Sequence, residues 1–190
     1  AKERGIKVTA EVTPHHLLLT DEKAESYDPV FKVNPPLRIN SDVIALREGL
    51  ADGTIDIIAT DHAPHPNEAK DCEWSAAAFG MVGLETAFSI AYLTMVQSGL
   101  MTLADLVNRM SSAPARIGRY AGHGEIKVNS AANVVLVDLD ATWHVEREHL
   151  HSKSKNTPFH GMELPGVIKM TFHNGALVYE SLDSRGGVKK

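Results

Sequence analysis

Apolar and polar positions along the first 120 residues follow two periods, which together predict alternating strands and helices. Residues 6–12 alternate and are rich in β-branched side chains, which predicts a strand. Residues 54–60 form a short, mostly apolar run, typical of a strand buried on both faces of a parallel sheet. Helical spacing marks three further stretches: 43–50, 84–98 and 102–110. This order predicts an α/β fold, either a doubly wound sheet or part of a (β/α)8 barrel.

From about residue 120 the period changes to two, which predicts a small β module. Strands are expected at 133–139 and 167–172, and Asn174-Gly175 lies between further alternating residues as in a type I′ hairpin. A complete barrel takes roughly 250 residues, so only part of one fits before this module. We therefore expect 1–120 to be α/β, 121–183 to be the β module and 184–190 to be a disordered tail.

The start of the chain indicates a fragment of a longer protein. Residues 1–5 are typical of the last turn of a helix closed by Gly5, and the predicted strand follows at once. We therefore expect a preceding βα repeat to be missing.

Composition narrows the class of protein. The 19 basic and 24 acidic residues give a net charge of −5, and 43% of the residues are hydrophobic, as in an ordinary globular protein with a core. The sequence pI near 6.0 argues against nucleic-acid binding. No apolar run is long enough to span a membrane. A single cysteine, Cys72, forms no internal disulfide and favours the cytoplasm.

The strongest candidate chemistry follows the second predicted strand. Asp61, His62 and His65 begin where that strand ends, and functional side chains of parallel α/β proteins lie at such ends. A carboxylate there could bind a divalent metal ion and exchange a proton with water. The alternative, Asp61 capping a turn with both histidines on the surface, is equally compatible with the spacing. The polar loop 66–75 could act as a lid.

A second group of polar residues follows the first predicted strand. Because neighbours in an extended segment point to opposite sides, at most one of His15 and His16 could face a site. We favour a structural role in which an imidazole bonds to nearby backbone. Glu11 is predicted to be a buried, paired carboxylate, and the alternative is an inward carboxylate near a metal.

Two further segments could contact a small ligand. Pro35 and Pro36 immobilise the chain beside Asn34, whose amide could serve one donor and one acceptor of a polar ligand. From the residues alone, a rigid crossover loop with Asn34 bonded to backbone is the preferred interpretation. Gly80 and Gly83 precede a predicted helix and could offer close backbone approach and free N–H groups.

Four segments, in order, resemble the bacterial dihydroorotases of the amidohydrolase superfamily. They are 11–17, 33–38, 59–65 and 79–85. The resemblance implies the C-terminal portion of a metal-dependent (β/α)8 barrel, followed by strands of a small β-sandwich built from both chain ends. It also implies reversible cyclisation of N-carbamoyl-L-aspartate to dihydroorotate in pyrimidine biosynthesis.

The resemblance also implies roles for individual residues. Asp61 corresponds to the metal-binding aspartate of the last barrel strand, which acts as general base and acid. Asn34 and His65 correspond to substrate-binding residues, and Phe79 and Gly80 to backbone contacts with the ring. The implied cofactor is zinc, one or two ions, with the remaining ligands upstream of this chain. The chain alone should therefore be inactive.

Two alternatives remain at this point. One is another cyclic amidohydrolase, a hydantoinase or an allantoinase. The other is a non-catalytic, dihydroorotase-like scaffold for aspartate transcarbamoylase, against which the presence of Asp61, Asn34 and His65 argues. The implied partners are the small-molecule substrate, the upstream half of the same enzyme, and either a second copy or aspartate transcarbamoylase.

Overall fold

The computed structural model describes residues 1–181 of the 190-residue chain. Residues 1–181 form five helices and five strands, with the strands in a two-stranded and a three-stranded sheet. The shortest helix, α2 (Asn67–Lys70), lies within the expected loop 66–75. Short 3₁₀ and π-helical turns lie between several of these elements. The predicted tail 184–190 lies outside the described residues. Within the described part, no helix is long and apolar enough to cross a membrane.

Strands β1 (Glu11–Val12) and β2 (Ile57–Ile58) pair in parallel through a crossover that contains α1 (Asn40–Asp52). Glu11 lies opposite Ile57, and Val12 opposite Ile58. Both strands are shorter than the patterns at 6–12 and 54–60 predict, because among the described strands each pairs only with the other. The parallel βαβ connection predicted from the sequence is confirmed.

Helix α1 forms because apolar residues at helical spacing face the core, where Val43 and Leu50 are buried. Gly53, with φ of 91°, ends the helix in the left-handed conformation that glycine adopts without steric cost. At the other end of α1, Ile39 occupies the N-cap position and its side chain makes no capping hydrogen bond.

The apolar stretches after residue 84 form helices that are interrupted rather than continuous. Helix α3 (Ala87–Ala91) passes into a π-helical turn at Tyr92–Val96. Helix α4 (Leu103–Val107) passes through another π-helical turn into α5 (Ala113–Ile117). A capping box begins α4, since Thr102 and Asp105 exchange side-chain and backbone hydrogen bonds.

The β module is an antiparallel sheet in the order β3-β4-β5, with β3 at Val134–His144, β4 at Glu163–His173 and β5 at Ala176–Glu180. Asn174 and Gly175 both have positive φ, at 50° and 81°, which confirms the predicted hairpin.

Two clusters of buried apolar residues form the core. The first lies between β1, β2 and the helices, and includes Val12, Leu50, Ile58 and Met95. The second includes Leu19, Val33, Leu37, Met81, Ile90, Val145, Phe159 and Leu164. Val145 and Phe159 belong to the residues between β3 and β4, which we name the connecting segment 145–162. The boundary at residue 120 stays a prediction, and this second cluster draws on both sides of it.

Candidate active site

Asp61 lies just beyond the carboxyl end of β2, where the chain turns sharply. Its φ of 48° is uncommon for a residue other than glycine and breaks the extended path after Thr60. The Asp61 side chain is exposed and accepts no hydrogen bond from any described residue. The interpretation of Asp61 as a turn cap therefore receives no support, and its carboxylate is accessible to a ligand.

The segment that follows Asp61 runs beside residues 79–84. His62 pairs with Met81 in a parallel bridge, and the Ala63 N–H donates to the Met81 carbonyl at 3.0 Å. Nδ1 of His62 accepts hydrogen bonds from the backbone N–H groups of Gly83 and Leu84, at 3.1 and 3.4 Å. The His62 ring therefore fixes the backbone at Gly83 and Leu84.

His65 fixes the backbone of Phe79. Its Nε2–H donates to the Phe79 carbonyl at 2.8 Å, because a carbonyl oxygen only accepts. In the neutral ring Nδ1 is then the unprotonated nitrogen, and no described residue bonds to it. The Phe79 side chain is itself 57% exposed.

The turn that contains Asn34 lies beside the segment that His65 contacts. The Gly80 N–H donates to the Lys32 carbonyl at 2.9 Å, which places the turn containing Asn34 beside residues 79 and 80. The Asn34–Pro35 peptide is cis, and the Asn34 side chain is exposed with no hydrogen bond to the described residues. The preferred interpretation, in which Asn34 bonds to backbone, is therefore wrong, and its amide is available to a ligand.

The expectation of free N–H groups at the two glycines is also wrong. Gly80 donates to Lys32 and Gly83 donates to His62, so both are used within the fold. Gly80 is required for close approach: at its φ of 119°, a Cβ would lie 2.5 Å from that of Ala63 and 3.3 Å from Nε2 of His65. As a substrate contact, Gly80 stays a prediction.

The two adjacent histidines have different structural environments. Residues 15–17 form a 3₁₀ turn rather than an extended segment, so the rings of His15 and His16 do not point apart but lie 4.5 Å from each other. His16 has the structural role predicted for it, since Nε2 bonds to the Pro35 carbonyl at 3.0 Å and Nδ1 bonds to the Thr13 hydroxyl at 2.6 Å.

His15 is buried, and its Nε2 has no hydrogen-bond partner among the described residues. Burial, with a smaller contribution from His16, lowers the pKa of His15 to about 3. Glu11 is exposed, so its prediction as a buried, paired carboxylate is wrong. Among the described strands, β1 has only β2 as a neighbour, and the Glu11 side chain is left uncovered.

Sequence reasoning missed the residue that ties the two site segments together. Asn156, buried in the connecting segment 145–162, donates from Nδ2 to the carbonyls of Ala63 and Gly80 at 3.1 and 3.2 Å. The backbone carbonyl of Asn156 accepts a hydrogen bond from the Val82 N–H at 3.2 Å. Neighbouring Ser154 accepts from the His65 N–H at 3.1 Å. Both lie in a polar run between two strands, which in sequence is typical of an exposed loop.

The described residues do not by themselves form a metal centre. No group of three or more His, Cys, Asp or Glu side chains that could hold a metal ion is found among residues 1–181. Asp61 offers one exposed carboxylate, whereas protein zinc sites use three or four ligands. Asp61, Asn34 and His65 therefore lie on segments that backbone hydrogen bonds join, and the Asp61 carboxylate and Asn34 amide have no hydrogen-bond partner among the described residues.

The chain is similar to curated dihydroorotases over almost its whole length. It is 60% identical to the Streptomyces coelicolor dihydroorotase over 176 residues, which are 92% of this chain and 41% of that protein. It is 54% identical to the Leifsonia xyli dihydroorotase over 193 residues, which are 100% of this chain and 44% of that protein. The chain thus spans less than half the length of these relatives.

Solved structures give the same fold. The L-hydantoinase (dihydropyrimidinase) from Arthrobacter aurescens matches with a TM-score of 0.87 and 35% identity, over 94% of this chain and 41% of the other. The dihydropyrimidinase from Brevibacillus agri matches with a TM-score of 0.87 and 26% identity. The described fold therefore fits part of an amidohydrolase (β/α)8 barrel. Since the profile of the amidohydrolase family also matches residues 1–178, the chain belongs to that family.

Proposed function

We propose that this chain is part of a zinc-dependent dihydroorotase, a cytoplasmic cyclic amidohydrolase that interconverts N-carbamoyl-L-aspartate and dihydroorotate. One observation carries the proposal. The exposed Asp61 carboxylate at the end of β2 lies on the edge where backbone hydrogen bonds join the segments of Asn34, His65 and Phe79. The two dihydroorotases at 60% and 54% identity support this substrate.

In the proposed reaction Asp61 moves the proton. When the ring opens, a water molecule adds to the ring amide carbonyl, and Asp61 accepts a proton from that water as the C–O bond forms. Asp61 then delivers the proton to the ring nitrogen as the C–N bond breaks. In the cyclising direction, Asp61 removes a proton from the carbamoyl nitrogen and returns it to the departing oxygen as water is lost.

The remaining site residues orient the substrate. The Asn34 amide has both a donor and an acceptor free, and His65 has Nδ1 free, so together they suit a carboxylate and a ureide. The backbone at Phe79 and Gly80 forms the adjoining wall, held by His65 and Asn156. Holding the ring in one orientation lowers the entropic part of the barrier.

Zinc is part of the proposal, with Asp61 as one ligand. Because the described residues hold no complete set of ligands, the others are assigned to the length of the relatives that this chain does not span. A bound zinc ion would polarise the substrate carbonyl and lower the pKa of a water molecule. We further propose 1–120 as the barrel part and 121–183 as the C-terminal half of the β-sandwich.

The test uses the complete enzyme, meaning this chain together with the remaining length that its relatives have. Asp61→Asn should lower kcat for dihydroorotate hydrolysis by several orders of magnitude, because the amide cannot accept the proton. Asp140→Asn, on an exposed aspartate of β3, is the matched control and should retain activity. Equal activity of the two variants would contradict the role of Asp61.

A hydantoinase is the second candidate, favoured by the match to the L-hydantoinase structure. Dihydroorotate and hydantoins differ in ring size and in the ring carboxylate. We expect the wild-type enzyme to prefer dihydroorotate over hydantoin and allantoin by kcat/KM. The reverse preference would favour the hydantoinase.

A further inference from the structure

Two buried lysines near the site have no carboxylate partner. Lys32 and Lys70 are 7% and 8% exposed, and neither forms an ion pair with any residue of the described chain. A buried ammonium group is costly unless it is paired or fully hydrogen-bonded, and lysine is almost never fully buried without such compensation. The fold must therefore compensate these charges in another way.

Backbone carbonyl groups provide the compensation. Each ammonium has three N–H donors, and each lysine is within hydrogen-bond distance of three carbonyl oxygens. Nζ of Lys32 donates to Trp74, Ser75 and Ala77, at 2.7, 3.1 and 2.6 Å. Nζ of Lys70 donates to Lys32, Ala78 and Gly80, at 3.3, 2.9 and 2.9 Å. Hydrogen bonds from charged donors are stronger than those between neutral groups.

Five of these six carbonyls lie in residues 74–80, which we name loop 74–80. This loop contains no helix or strand, so its carbonyl groups have no partners in a regular ladder. The sixth carbonyl, that of Lys32, also accepts from the Gly80 N–H. Lys70, Lys32 and Gly80 thus form a closed set of hydrogen bonds at the end of the loop that carries Phe79.

Lys32 also contacts the residue predicted to touch the substrate ring. Its Nζ lies 4.6 Å from the centroid of the Phe79 ring, within the range of a cation–π contact. His65 and Asn156 hold only the far end of the loop, at Phe79 and Gly80. Between Trp74 and Ala78, the backbone N–H groups of residues 76 and 77 donate to the Glu73 carbonyl and that of Ala78 donates to Ala69. The two lysines add hydrogen bonds to four carbonyl groups of this stretch.

We propose that Lys32 and Lys70 are positioning residues, which fix the substrate-contacting backbone at Phe79 and Gly80 by binding the carbonyl groups of loop 74–80. The inference rests on the proposed function for its substrate. Neither lysine touches the reacting atoms, so both act on how well substrate binds. The expected signature is therefore a change in KM larger than the change in kcat.

The charge on Lys70 adds a pH-dependent test. Burial, and to a lesser extent Lys32, lowers the pKa of Lys70 to about 8, while Asp28 and Cys72 act in the opposite direction. Above that pH the neutral amine has two N–H donors for three carbonyls. Loop 74–80 should therefore be held less firmly in alkaline solution.

The experiment compares Lys32→Met and Lys70→Met with Lys2→Met in the complete enzyme. Lys2 is the control because its ammonium also donates to two carbonyls, those of Gly53 and Thr54, before the start of β2. Unlike the two buried lysines, it also pairs with a carboxylate, that of Asp56. Amide hydrogen exchange of loop 74–80 and steady-state kinetics are measured for each variant. We expect the loop to lose protection in the first two variants, with KM for dihydroorotate raised ~10-fold and kcat changed less, and neither effect in Lys2→Met.

Wild-type protection and KM in both site variants would overturn the proposal. Because these variants could fail to fold, wild-type protein is also measured from pH 7 to 9.5, with exchange corrected for its intrinsic pH dependence. Protection of loop 74–80 should fall relative to α1, and an unchanged ratio would overturn the proposal too. Hydrogen exchange needs no turnover, so a wild-type enzyme that fails to hydrolyse dihydroorotate contradicts the proposed function alone.

Discussion

At the scale of single residues, the sequence marked Asp61 and Asn34 as candidates, and the resemblance to dihydroorotases suggested the roles of Asn34 and His65, whereas their surroundings could not be predicted. Asp61 follows an apolar strand and Asn34 precedes two prolines, and both patterns can be recognised in the sequence alone. The buried positions of Lys70 and Asn156 have no such signal, because polar residues between elements are usually solvated. Their side-chain hydrogen bonds to backbone carbonyl groups span 8 to 93 positions of sequence, which no local pattern encodes.

His15 gives a prediction at this scale. Its pKa of about 3 in the folded protein lies below the usual value of 6.5, so proton uptake favours the unfolded chain as the pH falls from 6.5 towards 3. Above pH 6.5 the full stabilisation is present. Wild-type enzyme should therefore lose about 2 to 4 kcal/mol more than His15→Met across this window, measured by urea unfolding.

The control for this prediction is His149→Met, which replaces an exposed histidine. It should follow the wild-type pH dependence. If His15→Met follows the wild type as well, then His15 is not the group that is kept neutral by burial.

At the scale of elements, periodicity predicted helices and turns better than it predicted strands. The C-cap of α1, the capping box of α4 and the β4–β5 hairpin are local features, and each is present. Strands β1 and β2 are short because a strand exists only where a neighbour pairs with it. The π-helical turns after α3 and α4 also escaped prediction, since an inserted residue leaves the apolar spacing almost unchanged.

Asn156 gives a prediction at the scale of elements, because it joins three of them. Asn156→Ala removes the donors to the Ala63 and Gly80 carbonyls, which leaves buried acceptors unsatisfied. We expect unfolding free energy to fall by about 1 to 3 kcal/mol and KM to rise, measured by urea unfolding and initial rates. Asn40→Ala, on an exposed asparagine, is the control. Comparable losses in both variants would remove Asn156 from this role.

At the scale of the whole molecule, the sequence predicted the fold further than it predicted the metal site. The α/β part followed by a β module was predictable from the change in period near residue 120. The metal centre was not, because no group of three or more possible metal ligands is found among residues 1–181. A resemblance in four segments identified the family, but the chain spans only 41% of the Streptomyces coelicolor relative.

The isolated 190-residue chain is therefore predicted to bind zinc weakly and to be inactive. Metal analysis after dialysis should give well under one zinc ion per chain, and dihydroorotate hydrolysis should be absent. Mixing with the remaining part of the enzyme should restore both. One tightly held zinc ion per isolated chain would contradict this assignment of ligands.

The position of the connecting segment 145–162 has a consequence for engineering. Val145 and Phe159 pack with Leu19, Val33 and Met81, and Asn156 secures the site, although these residues lie between two strands of the β module. A chimera that takes its antiparallel sheet from a relative must therefore keep the native connecting segment 145–162, because this segment packs against the native α/β part. Such a chimera needs three junctions, one before β3 and one at each end of the connecting segment, rather than a single crossover at residue 120.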